Sequence, residues 1–127
     1  MAVYEKHFTV EEARHELPEL RRLFDRIQAL VAGLQEEQVK VARIQERIEG
    51  NGHAAHFPDD DSKNRELQSL VGQILEKGIE IKDLARGLVD FPHWREGEEV
   101  YLCWLYGEDD ILYWHTLEGG FAGRQPL

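Results

Sequence analysis

The last third of the chain sets eight polar residues among aromatics: Asp90, His93, Arg95, Cys103, Tyr113, His115, Glu118 and Arg124. A thiol and an imidazole are what thiolate chemistry requires, since the imidazole either takes the thiol proton or ligates a metal beside the sulfur. Cys103 and His115 fall on two segments that read as paired strands, so their side chains could meet. Asp90 or Glu118 could then orient the imidazole, as a carboxylate commonly does behind a ligating His. Asp90, Cys103, His115, Glu118 and Arg124 are therefore the candidate site, for catalysis or for metal. The competing reading treats Cys103 as a small buried hydrophobe and His115 as an ordinary strand-end group. On residue types alone that second reading is preferred.

Two other constellations carry weaker chemistry. His53 and His56 stand three apart in Gly52-His53-Ala54-Ala55-His56, with Asp59, Asp60 and Asp61 close behind, which makes imidazole and carboxylate ligands locally dense. They lack the rigid helical spacing of a zinc motif, so the loop reads as a solvated linker with incidental metal affinity. The tail Glu118-Gly119-Gly120-Phe121-Ala122-Gly123-Arg124 could wrap an anion, but no Lys-Ser/Thr follows, as a phosphate loop requires. It reads instead as a tail lying flat on the sheet, anchored by Phe121, with Arg124 paired to an acid such as Asp90. No cofactor motif is present.

Composition narrows the classes. The 127 residues hold 25 acidic against 15 basic side chains, a formal net charge of -10, and a single Cys. One domain spanning residues 1–127 is the natural expectation. One Cys forbids an intramolecular disulfide and, with no targeting segment after Met1, points to a reducing, cytoplasmic setting. The acidic balance disfavours nucleic acid and anionic membranes. From Phe91 onward seven acids face only Arg95 and Arg124, so the aromatic residues there suit packing better than base stacking.

The elements that would hold these groups change character along the chain. Thr9-Val10-Glu11-Glu12 has the capping-box form and starts a helix at Val10; Pro18 predicts a kink or break near Leu17. From Pro18 to Glu49, Leu20, Ile27, Leu34, Val41 and Ile48 repeat every seven residues. Leu23, Leu30 and Ile44 complete the seam, interrupted by Glu37, which predicts a coiled-coil stripe. Gly50-Asn51-Gly52 stops that helix. A second begins near Asp61 or Ser62, carries Leu67, Leu70, Val71, Ile74 and Leu75, and ends at Lys77-Gly78. The two should pack antiparallel, a helical hairpin over about residues 10–77.

After Gly78 the period becomes two. Ile79 to Lys82 and Leu88 to Pro92 read as short strands or extended segments, and Val100–Tyr106 with Ile111–His115 as a hairpin turning at Gly107-Glu108-Asp109-Asp110. That hairpin is apolar on both faces and needs cover on both. Val3 to Phe8 could add an edge strand. The predicted class is α+β: a long, coiled-coil-like antiparallel helical hairpin with a small antiparallel sheet over about residues 78–127.

The strings FTVEEARHELPEL, IKDLARGLVDFP and EEVYLCWLYGEDDILYWHTLEGGFAGRQPL resemble the prokaryotic family known as domain of unknown function 2203, over nearly the whole chain. The ending, with its Cys-Trp, Trp-His and Gly-Phe-Ala-Gly-Arg elements, is the most specific part. The resemblance implies no activity, cofactor or catalytic residue.

The favoured function is a non-enzymatic, oligomeric module for protein interaction or assembly. The rival is a small metal-binding protein or enzyme with its site in the C-terminal sheet. The first helix would run roughly 48 Å and the second about 24 Å at 1.5 Å per residue, so either the loop from Gly50 to Asp60 folds back along the surplus stripe through Phe57 or, the favoured option, a second copy covers it. Light scattering at micromolar concentration checks this: a homo-oligomer is expected, and a monomeric mass removes it.

Overall fold

The computed structural model describes residues 2–33 and 62–127. Among these residues, two helices, α1 (Val10–Gly33) and α2 (Ser62–Glu76), precede five strands. The strands are β1 (Glu80–Asp83), β2 (Leu88–Arg95), β3 (Glu98–Leu105), β4 (Tyr113–Thr116) and β5 (Gln125–Pro126). They form one antiparallel meander in the order β1-β2-β3-β4-β5.

The capping box forms as expected. The Thr9 hydroxyl accepts the Glu12 amide at 3.0 Å, and the Glu12 carboxylate accepts the Thr9 amide at 2.8 Å. Of the expected kink or break near Leu17, the break does not occur: α1 continues through Pro18. Proline inside a helix costs about 3 kcal/mol. Pro18 itself is exposed, whereas Ala13, Leu17 and Leu20 around it are buried, and each fully buried aliphatic side chain stabilises by roughly 1.5–3 kcal/mol. Packing on both sides outweighs the lost bond.

The expected coiled-coil-like helical hairpin is corrected. The helices do run antiparallel where they are described: Arg26 of α1 holds Glu66 at the start of α2 (2.6 and 2.7 Å), and Lys77, just past its end, reaches Glu16 and Glu19 (2.9 Å each). Their lengths are 24 and 15 residues, however, and their apolar sides are spent on the five-stranded sheet. Leu20, Leu23, Phe24, Ile27 and Leu30 of α1 share one core with Leu67, Val71 and Ile74 of α2 and with Val89, Phe91, Leu102 and Trp104 of the sheet. Phe24 meets both Trp104 and Tyr106, which widens the stripe beyond a two-position seam. The row expected to need a second copy thus has its partner within the chain over residues 10–33. Leu34, Glu37, Val41, Ile44 and Ile48 lie outside the described residues, as do His53, His56 and Asp59 to Asp61.

β2 extends past Pro92, where the sequence reading ended it, and turns into β3 at Glu96-Gly97, both with positive φ (52° and 82°) as a two-residue type I′ turn requires. Pro92 is tolerated because β1 reaches only to the level of Asp90, so its missing N–H faces no strand. The segment expected as an edge strand, Val3 to Phe8, lies there without becoming one. The Phe8 amide donates to the Pro92 carbonyl at 2.7 Å, but Pro92 has nothing to donate in return. The His93 Nδ1 atom binds the Phe8 carbonyl at 2.7 Å instead, and Glu99 accepts the amides of Val3 and Tyr4 (2.7 and 3.0 Å).

Strand alternation divides the sheet. Val89, Phe91, Leu102 and Trp104 face the helices, while Asp90, Tyr101, Cys103, Tyr113 and His115 lie on the opposite face. Truncating Phe24 to Ala is expected to cost about 3–5 kcal/mol in urea unfolding, whereas the exposed Leu112→Ala should stay within about 0.5 kcal/mol.

Candidate functional site

Register assembles the site. Asp90 pairs with Cys103 across β2 and β3, Cys103 with Tyr113 and Tyr101 with His115 across β3 and β4. Asp90, Cys103 and His115 consequently occupy three adjacent strands on one face, with ligand atoms all within 4.8 Å of one another. Asp90 and His115 each expose only 2% of their surface and Cys103 none.

Every polar atom of the imidazole is accounted for. His115 Nε2 lies 2.9 Å from Asp90 Oδ1, and Nδ1 lies 2.7 Å from the carbonyl oxygen of Thr116. Both neighbours are acceptors, so both ring nitrogens are best satisfied as donors. Burial alone would lower the His115 pKa, but the hydrogen bond and the charge of Asp90 outweigh it and the net shift is upward. The Cys103 thiol lies against the same carboxylate. Burial pushes its pKa up and the charge of Asp90 pushes it further, while Arg124 acts in the opposite sense. The thiol is therefore held protonated, the reverse of an activated nucleophile.

The order of the groups also decides against a catalytic triad. Such a triad needs imidazole between thiol and carboxylate. Here the imidazole gives its Nε2 atom to Asp90 and its Nδ1 atom to the Thr116 carbonyl, so neither ring nitrogen is left to take the thiol proton.

Arg124 reaches this face from the tail, its guanidinium 3.9 Å above the Tyr113 ring and 4.7 Å from that of Phe121. Its acid partner is Glu108, in the turn between β3 and β4, at 2.6 and 2.8 Å, rather than Asp90. The Gly-rich tail does not lie buried on the sheet as expected: residues 118–123 are exposed, Phe121 among them, and Gly119 closes a turn by donating to the Thr116 hydroxyl at 2.9 Å, where a Cβ would stand 2.8 Å from that oxygen. Glu118 is exposed and outside the cluster. Of the five candidates the fold thus unites Asp90, Cys103 and His115, brings Arg124 alongside, and leaves Glu118 out.

Tyr4, Lys82 and Tyr101 complete the polar layer and were missed from the sequence. The Tyr4 and Tyr101 hydroxyls hydrogen-bond, and Lys82 Nζ reaches the Tyr101 hydroxyl at 3.4 Å. Tyr101 could have been found, being two residues from Cys103 on the same strand face; Tyr4 carries no such signal. A groove of about 400 Å³ lies by Lys6, Glu12 and His15, and none of the cluster residues lines it.

A family model described as "Uncharacterized conserved protein (DUF2203)" matches residues 6–127. The chain belongs to the DUF2203 family. No curated protein and no solved structure matches it. The match spans every strand and both helices of the DUF2203 chain, so the whole buried cluster lies within it. No described helix is long and apolar enough to cross a membrane.

Two outcomes test the geometry of this DUF2203 site. Asp90→Ala strands a buried imidazole and should cost about 3–5 kcal/mol in urea unfolding, much of it recovered in an Asp90→Leu/His115→Leu double variant. Cys103 should react with a thiol reagent only on unfolding, so equal rates with and without denaturant would contradict its burial.

Proposed function

We propose that this protein is a small, non-enzymatic metal-binding domain in which Asp90, Cys103 and His115 hold a thiophilic divalent ion such as Zn²⁺. The observation that carries this reading is the convergence of carboxylate, thiol and imidazole in one buried spot, with the imidazole already oriented. Thr116 holds Nδ1–H through its carbonyl and leaves Nε2 toward the other two groups, the arrangement that ordinarily supports a ligating His.

Distance and charge both support it. Zinc bond lengths place ligand atoms roughly 3.4–3.6 Å apart across a tetrahedral edge, so a cluster within 4.8 Å closes by about an ångström. A divalent ion with one thiolate, one carboxylate and a neutral imidazole is uncharged overall, which suits a buried position. Loading displaces the thiol proton and the Nε2 proton, and tighter binding with rising pH follows. Soft sulfur and borderline nitrogen favour Zn²⁺ or Co²⁺ over Mg²⁺ or Ca²⁺. The three ligands leave one position of a tetrahedral ion open.

The check is elemental analysis of the purified protein, followed by Co²⁺ titration after chelation. One equivalent is expected, with a thiolate-to-cobalt absorption band that Cys103→Ser abolishes and His115→Ala weakens. At free metal 100 times Kd the folded state should gain about 2.7 kcal/mol. A natively folded protein showing neither bound metal nor a cobalt band would exclude the reading.

A further inference from the structure

The tail delivers a buried donor that has no hydrogen-bond partner among the described residues. Arg124 binds Glu108 through its Nη2 atom alone, and its side chain is only 12% exposed. Its Nε atom is buried without any hydrogen-bond partner. An unsatisfied buried N–H costs about 1–3 kcal/mol, so a group of this kind commonly has a partner in the working state.

The position of the guanidinium narrows the choice to the face that carries Cys103. It stacks on Tyr113, the direct cross-strand partner of Cys103 on the same face. A thiol is a weak acceptor, whereas a thiolate is a strong one. Resting on the metal reading above, we propose that Arg124 is the positioning residue of that centre: its Nε–H donates to the Cys103 thiolate once the ion has displaced the thiol proton. Glu108 anchors the other end of the guanidinium, itself fixed by the Leu105 amide at 2.8 Å, so the C-terminal tail and the β3–β4 turn jointly aim the donor.

Such a bond stabilises the sulfur lone pairs. It raises the energy of the thiolate-to-cobalt transition and strengthens binding, with outer partners of this type typically worth about 10–100-fold in affinity. The test is Co²⁺ titration of the full chain and of Arg124→Met, which keeps an apolar stem and removes the donor. Glu108→Gln, which frees the anchor, serves as a second variant should the first fold poorly. Expected are a band displaced to longer wavelength and a Kd raised by about 10-fold or more in Arg124→Met, with a smaller displacement in Glu108→Gln. A purely packing role would lower unfolding stability and leave the band in place. An unmoved band in both variants, while the wild-type chain binds cobalt, overturns the role of Arg124 and leaves the centre standing; absence of cobalt binding by the wild type overturns both.

Discussion

A carboxylate enclosed in the middle of a sheet governs this molecule's outer face. Ionised Asp90 would be intolerable there alone, because removing an unpaired charge from water costs far more than one domain's net stability. It is retained because His115 approaches from two strands away and Cys103 from the adjacent one. Cover then becomes necessary on a face that the described helices do not reach. Tyr4 comes from the N-terminal segment and Arg124 from the tail, so both chain ends close over the same polar layer.

That arrangement separates three chemistries that share the same residue types. Nucleophilic catalysis needs a thiol beside a base, and here the thiol faces a carboxylate that raises its pKa. A purely structural ion pair accounts for Asp90 and His115 but gives no part to a thiol against the same oxygen atoms, nor to the orphaned Arg124 Nε. Metal coordination uses all of them, which is why it is the reading preferred here. Replacing a buried ion pair by apolar groups is often neutral or stabilising, so stability by itself is a poor reason for a chain to keep this cluster.

The misreading of the helices has a definite physical origin. Leu20, Leu23, Ile27 and Leu30 have the spacing of a coiled-coil seam, yet the same spacing serves a helix lying on a sheet, since period alone does not reveal what the face meets. Phe24 adds a third position to the stripe and meets Trp104 and Tyr106 with tilted rings. Pro18 misled through the opposite error, a local rule overridden by burial on either side. Pro92 truncated β2 on paper because nothing in the sequence shows that β1 stops short of it.

What the sequence determined by itself was local: the Thr9 capping box and the strand alternation after Gly78, with Asp90, Cys103, His115, Glu118 and Arg124 as an unsorted set of groups able to do chemistry. Each depends on neighbours a few residues apart, where backbone geometry leaves little choice. Tertiary structure alone decided that the Asp90 carboxylate meets the imidazole, that Thr116 orients the ring, and that Arg124 answers to Glu108. Those facts depend on strand register and chain reversal, and a one-residue slip in pairing would send every one of these side chains to the opposite face.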